Sequence, residues 1–299
     1  MSRVSKSFPV AVTEHWANQV EPSPRDPLLL QVLPDPRELI PAGGDLSDPV
    51  ADAAMSPVPW LVQKHPDRAL LLVTKRCHVY CRYCFRRDHS PGDRLDPTEE
   101  ELSHAIATAQ QSGARELILS GGDPLSLGDS PLQELLGRVR PLFPVLRIHT
   151  RAPVTAPARI TEGLVAVLRA HDPIWMVIHA NHPRELSPPV VAALDRLRDA
   201  GIPLLNQSVL LRGVNDDTDV LVELSERLVE LGVVPYYLHH TDPVPGNAHL
   251  RVSVKEGEIL YHGMRKRLSG IALPNYVVDL PSGHGKIPVE EAHRNGMIR

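Results

Sequence analysis

Three thiols crowd one short stretch of the chain. "KRCHVYCRYCFRR", residues 75–87, carries Cys77, Cys81 and Cys84 in the spacing C-x3-C-x2-C, and the sequence has no other cysteine. Thiolates are soft ligands that suit zinc, copper(I) or iron–sulfur clusters. Most simple 4Fe–4S sites use four cysteines, so a set of three leaves one iron open to a non-protein ligand. A zinc site could complete itself with His78 or His89, although such sites usually draw ligands as two separated pairs. Plain core packing is the third option, and the arginines and lysines around the three cysteines make a poor core. An odd, clustered set does not read as a disulfide framework; it points to metal or redox chemistry in a reducing compartment.

Such a loop needs a scaffold. From about residue 68, short apolar runs alternate with amphipathic ones. "ALLLVT" (69–74), "ELILSG" (116–121), "VLRIHT" (145–150), "IWMVIHA" (174–180), "PLLNQSVLL" (203–211), "VVPYYLHH" (233–240) and "NYVVDL" (275–280) read as strands. Helix signals lie between them. Asp96, Pro97, Thr98 and Glu99 read as a capping box, Ser187-Pro188 opens a helix ending at Gly201, and Ser253 with Glu256 forms a second box. Leu221, Leu224, Leu228 and Leu231 mark one helical face before Gly232. Repeated strand–helix–strand units predict an α/β fold, a partial (β/α) barrel of about six to seven parallel strands. Chemistry in such folds gathers at the C-terminal strand ends. Cys77, Gly121-Gly122-Asp123, Arg151, His179 to His182, Gln207, Asp242 and Asp279 all fall there.

Residues 1–62 are rich in Pro and Asp and predict short helices and extended segments that wrap the barrel. The expected organisation is that wrapping segment, a barrel over 63–289 and a short tail over 290–299. With 299 residues, 42% apolar and 23% charged, the chain has the make-up of an ordinary globular protein. A net charge of −4 gives no reason to expect nucleic acid or a membrane surface as partner. No apolar run approaches the roughly 18 residues that span a bilayer. The first residues lack an uninterrupted apolar core of a secretory leader, so the expected compartment is the cytoplasm.

The cysteine spacing, with an aromatic before the third cysteine and a barrel's first strand before the loop, resembles the radical S-adenosylmethionine superfamily. The resemblance implies a 4Fe–4S cluster on Cys77, Cys81 and Cys84 whose open iron chelates S-adenosylmethionine. It places Tyr83 near the adenine, and "GGDPL", Gly121, Gly122 and Asp123 onward, where the methionine amino group is received. Gln207 is a further expected contact to S-adenosylmethionine.

"PDRALLLVTKRCHVYCRYCFRR", "LSGGDPL", "RITEGLVAVLR", "LLNQSVLLRGVND", "PYYLHHTD" and "NYVVDLPSGHGKIPV" together resemble the lysine 2,3-aminomutase family, from about residue 23 to about 289. That resemblance adds pyridoxal 5′-phosphate, carried by Lys286. A lysine in a glycine-rich loop can meet a ligand closely, and its amine is a nucleophile once neutral. The resemblance puts Arg68 and Lys64 near the cofactor phosphate, with His65 where the family usually has another aromatic. Arg86 then holds the substrate carboxylate, a task suited to a bidentate guanidinium. Asp242 and Asp279 hold the ε-ammonium of L-lysine. On their own, a strand-end aspartate also caps helices and turns, and histidines such as His179, His182, His239 and His240 read as pocket lining rather than metal ligands.

The reaction so implied is an isomerisation: a 5′-deoxyadenosyl radical, assisted by pyridoxal phosphate, moves the α-amino group of lysine to the β-carbon. A reductant such as flavodoxin or ferredoxin is implied as partner, and a homo-oligomer is compatible with the family. Chain length, "CRYCFRR" and "LLNQSVLLRGVND" resemble short relatives that supply (R)-β-lysine for elongation factor P. "VVDLPSGHGKIPV" resembles the longer enzymes that make β-lysine as a metabolite. An aminomutase for another cationic amino acid such as arginine, and a non-catalytic iron–sulfur or zinc protein, are the other readings.

Overall fold

The computed structural model describes Val4 and residues 8–87, 94–281 and 285–298. Among the described residues, nine strands form one sheet in sequence order. They are β1 (Leu61–His65), β2 (Arg68–Thr74), β3 (Glu116–Gly121), β4 (Val145–His149), β5 (Ile174–His179), β6 (Leu204–Val209), β7 (Val233–His239), β8 (Asn275–Asp279) and β9 (Lys286–Pro288). Neighbours from β2 to β8 pair in parallel, while β1 and β9 are antiparallel edges. The expected six to seven strands therefore become nine. Seven are the predicted parallel set, and the two extra edges are short, which keeps their periodic signal weak.

Between the parallel strands run α1 (Glu99–Gln111), α2 (Asp129–Val139), α3 (Glu162–Arg169), α4 (Pro188–Asp199), α5 (Thr218–Glu230) and α6 (Val254–Arg267), with α7 (Val289–Arg294) after β9. Ser253 and Glu256 cap α6 reciprocally, as predicted. The box of α1 is instead Thr98 with Glu101. Asp96 is engaged elsewhere: its carboxylate accepts from Thr74 Oγ1 at 2.7 Å and from Arg76 Nε at 3.0 Å. Among the described residues no helix is long and apolar enough to cross a membrane.

Strand burial shows which face works. In β2, Ala69, Leu71 and Val73 are buried, while Arg68, Leu70 and Leu72 are only partly so. Fully covered parallel strands read as continuous apolar runs. Here helices cover one face and the other is left partly open. The open face curls on itself. Laid flat, β1 and β8 would stand about 34 Å apart, given seven gaps of roughly 4.8 Å. Yet Lys64 Nζ of β1 lies 3.3 Å from Asp279 Oδ1 of β8. The barrel is thus drawn together by side chains across the gap between its edges, with β1 starting at Leu61, inside the segment expected only to wrap.

That N-terminal segment straps the cysteine loop. Trp16, Leu28 and Val32 join the main apolar core. Ala11 and Gln31 offer their carbonyls to Tyr80 N and Arg82 N at 3.0 and 2.8 Å. Glu38, with a 0% exposed side chain, binds Arg82 (also 0% exposed) at 2.5 Å and Arg87 at 2.5 Å. Burial alone would raise the Glu38 carboxyl, but the two guanidinium groups outweigh it and lower it. Breaking one member of a buried ion pair leaves the other uncompensated, at a cost of about 3–5 kcal/mol. Glu38→Ala is accordingly expected to lower unfolding stability by about 3 kcal/mol or more in urea titration. A loss under about 1 kcal/mol would mean that water reaches Arg82 in the folded state.

Candidate active site

The cysteine loop leaves β2 at Thr74 and is held from beneath by the end of β3. Gly122 N donates to Thr74 O, and Asp123 N to Arg76 O, each at 2.6 Å. This approach requires glycine. A Cβ on Gly121, whose φ is +121°, would stand 2.3 Å from Thr74 O, and one on Gly122 2.2 Å from Arg76 O. The Gly-Gly pair therefore sets the position of Cys77, whatever else it contacts. Gly122→Ala is expected to bring iron uptake under anaerobic reconstitution below roughly half of wild type, with the far-UV spectrum unchanged, because the clash is with backbone. Normal iron content in that variant would show that the loop can shift without harm.

Cys77, Cys81 and Cys84 are free thiols, each partly exposed. Burial pushes the Cys84 thiol up to about 11, and Cys77 rises for the same reason. A bound cation has to draw such protons off, and thiolate is the form that ligates metal. Arg151 Nη1 lies 2.8 Å from Cys81 Sγ, while its Nη2 reaches Gln31 at 2.6 Å and Glu185 at 2.9 Å. Three thiols within eight residues, backed by a fixed guanidinium, fit a cluster that takes one thiolate per iron. Among the described residues, no three His, Cys, Asp or Glu side chains converge on a point that could hold a single metal ion. His89, the second candidate zinc partner, lies outside the described residues.

Tyr83 is buried against the loop. Its hydroxyl accepts from Asn181 Nδ2 at 2.8 Å and meets His179 Nε2 at 2.8 Å, with the two rings stacked. Asp123 has little left for a ligand. Its carboxylate accepts from Leu125 N at 2.9 Å, Thr150 Oγ1 at 2.6 Å and Arg151 N at 2.8 Å, so it also positions Arg151. Gln207 stands between His179 and Tyr237 as their register partner across β5, β6 and β7.

Lower on the open face runs an alternating chain of charges. Arg86 Nε donates to Asp52 Oδ2 at 2.7 Å. Asp52 Oδ1 lies 3.8 Å from Lys64 Nζ, and Lys64 Nζ 3.3 Å from Asp279 Oδ1. Asp279 Oδ2 meets Lys286 Nζ at 3.3 Å. Lys64, expected near the cofactor phosphate, has its amine between the carboxylates of Asp52 and Asp279. Arg68 is half-exposed and pairs with Asp67 at 3.3 Å. Asp52 was not anticipated at all.

Lys286 opens β9 directly opposite Asp279, and its side chain is 33% exposed. Gly285 before it has φ +72°, and a Cβ there would fall 2.4 Å from His65 Nε2. The imidazole of His65 thus packs where a side chain would be and fixes the approach to Lys286. The other loop residues expected to flank it, 282–284, lie outside the described residues.

Asp242 and Asp279 share this neighbourhood and respond in opposite directions. Burial first, then the negative charge of Asp279, pushes Asp242 up to about 7, against the pull of Lys286, Lys64 and Arg86. Burial would raise Asp279 too, but Lys286 and Lys64 outweigh it and hold its carboxyl low. The histidines stay neutral: burial, assisted by Lys286, brings His239 down to about 3, and burial alone brings His240 to about 4.

Two amines, three thiols, paired carboxylates and several guanidinium groups line one open face. A primary amine that can bond a carbonyl, such as that of pyridoxal phosphate, fits Lys286, which is both accessible and held in place. Comparison with known proteins agrees. The model of the Radical SAM superfamily matches residues 71–224. The L-lysine 2,3-aminomutase of Clostridium subterminale is 40% identical over 294 residues, covering 95% of this chain and 69% of the relative. A putative L-lysine 2,3-aminomutase of Aquifex aeolicus is 38% identical, covering 97% and 80%. Among solved structures, SuiB of Streptococcus suis bound to S-adenosylmethionine superposes with a TM-score of 0.54 at 15% identity, over 72% of this chain and about half (51%) of that one. At that identity the likeness speaks for the fold alone.

Proposed function

The chain belongs to the lysine 2,3-aminomutase family of radical S-adenosylmethionine enzymes, and from that premise we propose that it moves the α-amino group of L-lysine to the β-carbon. It is an isomerase that works with a 4Fe–4S cluster, S-adenosylmethionine and pyridoxal 5′-phosphate. When bound, the first two would supply radical chemistry at the substrate β-carbon, and the third a carbonyl carbon for its amino nitrogen.

Cys77, Cys81 and Cys84 hold three irons, and Arg151 beside Cys81 steadies the charge of that corner. Tyr83, Gln207 and the backbone of Gly121 and Gly122 border the S-adenosylmethionine side. Lys286 would carry the pyridoxal phosphate, and Arg68 would meet its phosphate, both roles supported by the resemblance to the family. Arg86 orients the substrate carboxylate, and Asp52 holds that guanidinium in place until substrate arrives. Asp242 and Asp279 take the ε-ammonium. On this reading these groups share the open face of the sheet, from which bound substrate would displace water.

One observation carries the choice of lysine. Asp279 already receives two primary ammonium groups, Lys64 and Lys286, each at 3.3 Å. An ionised carboxylate that pairs with primary ammonium groups suits the ε-ammonium of a diamino acid once one of the two gives way to it. For an acidic substrate the same position would be repulsive. Anaerobic reconstitution with all three cofactors, dithionite and L-lysine, followed by chiral product analysis, tests the reading. β-Lysine is the expected product, and turnover of arginine with inert lysine would overturn it. We read the product as feeding elongation factor P, supported by the resemblance of "CRYCFRR" and "LLNQSVLLRGVND" to the short relatives. Deleting the gene and weighing elongation factor P tests that step: an unchanged mass favours the metabolic role.

A further inference from the structure

One group on the open face is used by nothing described so far. His149 closes β4, the strand between the two that carry the glycine pair and His179. Alternate residues of β4 divide cleanly: Leu146 and Ile148 are buried under the helices, and Arg147 and His149 point to the open face. The Nε2 of His149 has under 1 Å² of accessible surface and no hydrogen-bond partner among the described residues. Buried polar atoms in folded proteins are nearly always paired, so an orphan on the open face of the sheet calls for a partner that arrives later.

The surroundings say what partner suits. Burial keeps the imidazole neutral, and the positive charges of Arg147, Lys286 and Arg86, in that order, press the same way, followed by His239. A neutral ring has one N–H and one acceptor nitrogen. Ringed by cations, an acceptor nitrogen gains little from another donor, since Lys286 and Arg86 are already engaged with Asp279 and Asp52. A cationic surround instead draws an anion, and toward an anion a neutral imidazole offers its N–H.

We propose that His149 is a further ligand-positioning residue, donating a hydrogen bond from Nε2 to an anionic oxygen of the bound cofactor–substrate pair. The oxygen belongs either to the cofactor phosphate or to the carboxylate of the amino acid, both of which are sought by cations on this face. The inference rests on the reading of this face as the place where pyridoxal phosphate and lysine meet.

The test compares wild type, His149→Ala and His149→Gln, each full-length and anaerobically reconstituted with its cluster. Gln can bring an amide N–H near the position of Nε2. Binding of pyridoxal phosphate and of pyridoxal is followed by absorbance. Binding of L-lysine and of 1,5-diaminopentane, which lacks the carboxylate, is then followed by the spectral change of the loaded protein. A hydrogen bond to a charged group corresponds to a loss of about tenfold to a hundredfold in affinity for His149→Ala, with partial recovery in His149→Gln. If the phosphate is the acceptor, binding of pyridoxal phosphate weakens and binding of pyridoxal does not. If the carboxylate is the acceptor, binding of lysine weakens and binding of the diamine does not. Either pattern supports the proposal. Wild-type affinities for both ligands in a cluster-loaded His149→Ala overturn it and leave the proposed function standing. A wild-type protein that takes up no pyridoxal phosphate overturns both.

Discussion

Lys286→Ala is expected to retain no pyridoxal phosphate after gel filtration and to show no aminomutase turnover, while its iron content stays at the wild-type level. The side chain supplies the only described lysine amine besides Lys64 in contact with Asp279, and a third of its surface is open. Its link to the cysteine loop is the ion-pair chain through Asp279, Lys64 and Asp52 to Arg86, whereas the loop backbone is held by β3 and by the N-terminal strap. Loss of a covalent anchor is a qualitative defect rather than a graded one, so activity should fall by about a thousandfold or more. Borohydride reduction of the loaded wild type should leave the cofactor mass on the peptide containing Lys286. A label on Lys64 would reverse the assignment of the two amines, and the distances make that a fair contest. Gly285 argues for Lys286. Its positive φ and the His65 ring against it fix the segment that presents Lys286, a device that the Lys64 side has no need of. The companion change Gly285→Ala would drive a methyl into that ring, and it should loosen cofactor binding without abolishing it.

The cysteine loop was legible because everything it needs is local. Three thiols in eight residues after a strand carry their chemistry in their spacing, and the parallel order of β2 to β8 followed from apolar runs punctuated by capped helices. The glycine pair was legible as a site but not for its main reason. Gly121 and Gly122 are required by the approach of two backbones 47 or so residues apart in sequence, which no local pattern encodes. Asp52 was hidden for a similar reason. It sits in a Pro- and Asp-rich stretch where an aspartate ordinarily closes a turn, and only folding brings it to Arg86 and Lys64. The ion pairs of Lys64 were hidden because β1 went unrecognised; a five-residue edge with three polar members gives hardly any alternation. In α1, Asp96 and Thr98 are both good cap residues, and Thr74 and Arg76 decide between them by occupying the aspartate. Residue roles that depend on a substrate, such as those of Arg86, Asp242 and Asp279, came from resemblance rather than from spacing. The structure adds that these groups belong to one connected set of charges.

That connected set makes the second large effect a matter of charge at one end of the substrate. Asp279→Asn is expected to raise the KM for lysine about a hundredfold while S-adenosylmethionine binding stays within about twofold. Removing one member of a buried or partly buried charge pair costs about 2–5 kcal/mol, and each 1.4 kcal/mol is tenfold. Equal losses for both ligands would show a collapsed site instead. Asp242 supplies the pH dependence. Burial and the charge of Asp279 push its carboxyl up to about 7 from an ordinary 3.8, so near neutrality it is only partly ionised. A lysine ammonium binds the ionised form, and lysine affinity should therefore fall as pH drops below about 7, approaching tenfold per pH unit. Binding at neutral pH should also release a fraction of a proton, measurable by calorimetry in buffers of different ionisation heat. For the ligand-free fold the sign is opposite. A raised carboxyl takes up a proton on folding, so the contribution of Asp242 to stability is greatest in acid and declines as pH climbs from about 4 to about 7. Asp242→Asn should flatten both profiles, weakening lysine binding at pH 8 while steadying the empty protein. If the variant keeps the wild-type slope of lysine affinity against pH, the proton resides elsewhere in the chain of charges, with His65 beside Gly285 the next group to examine.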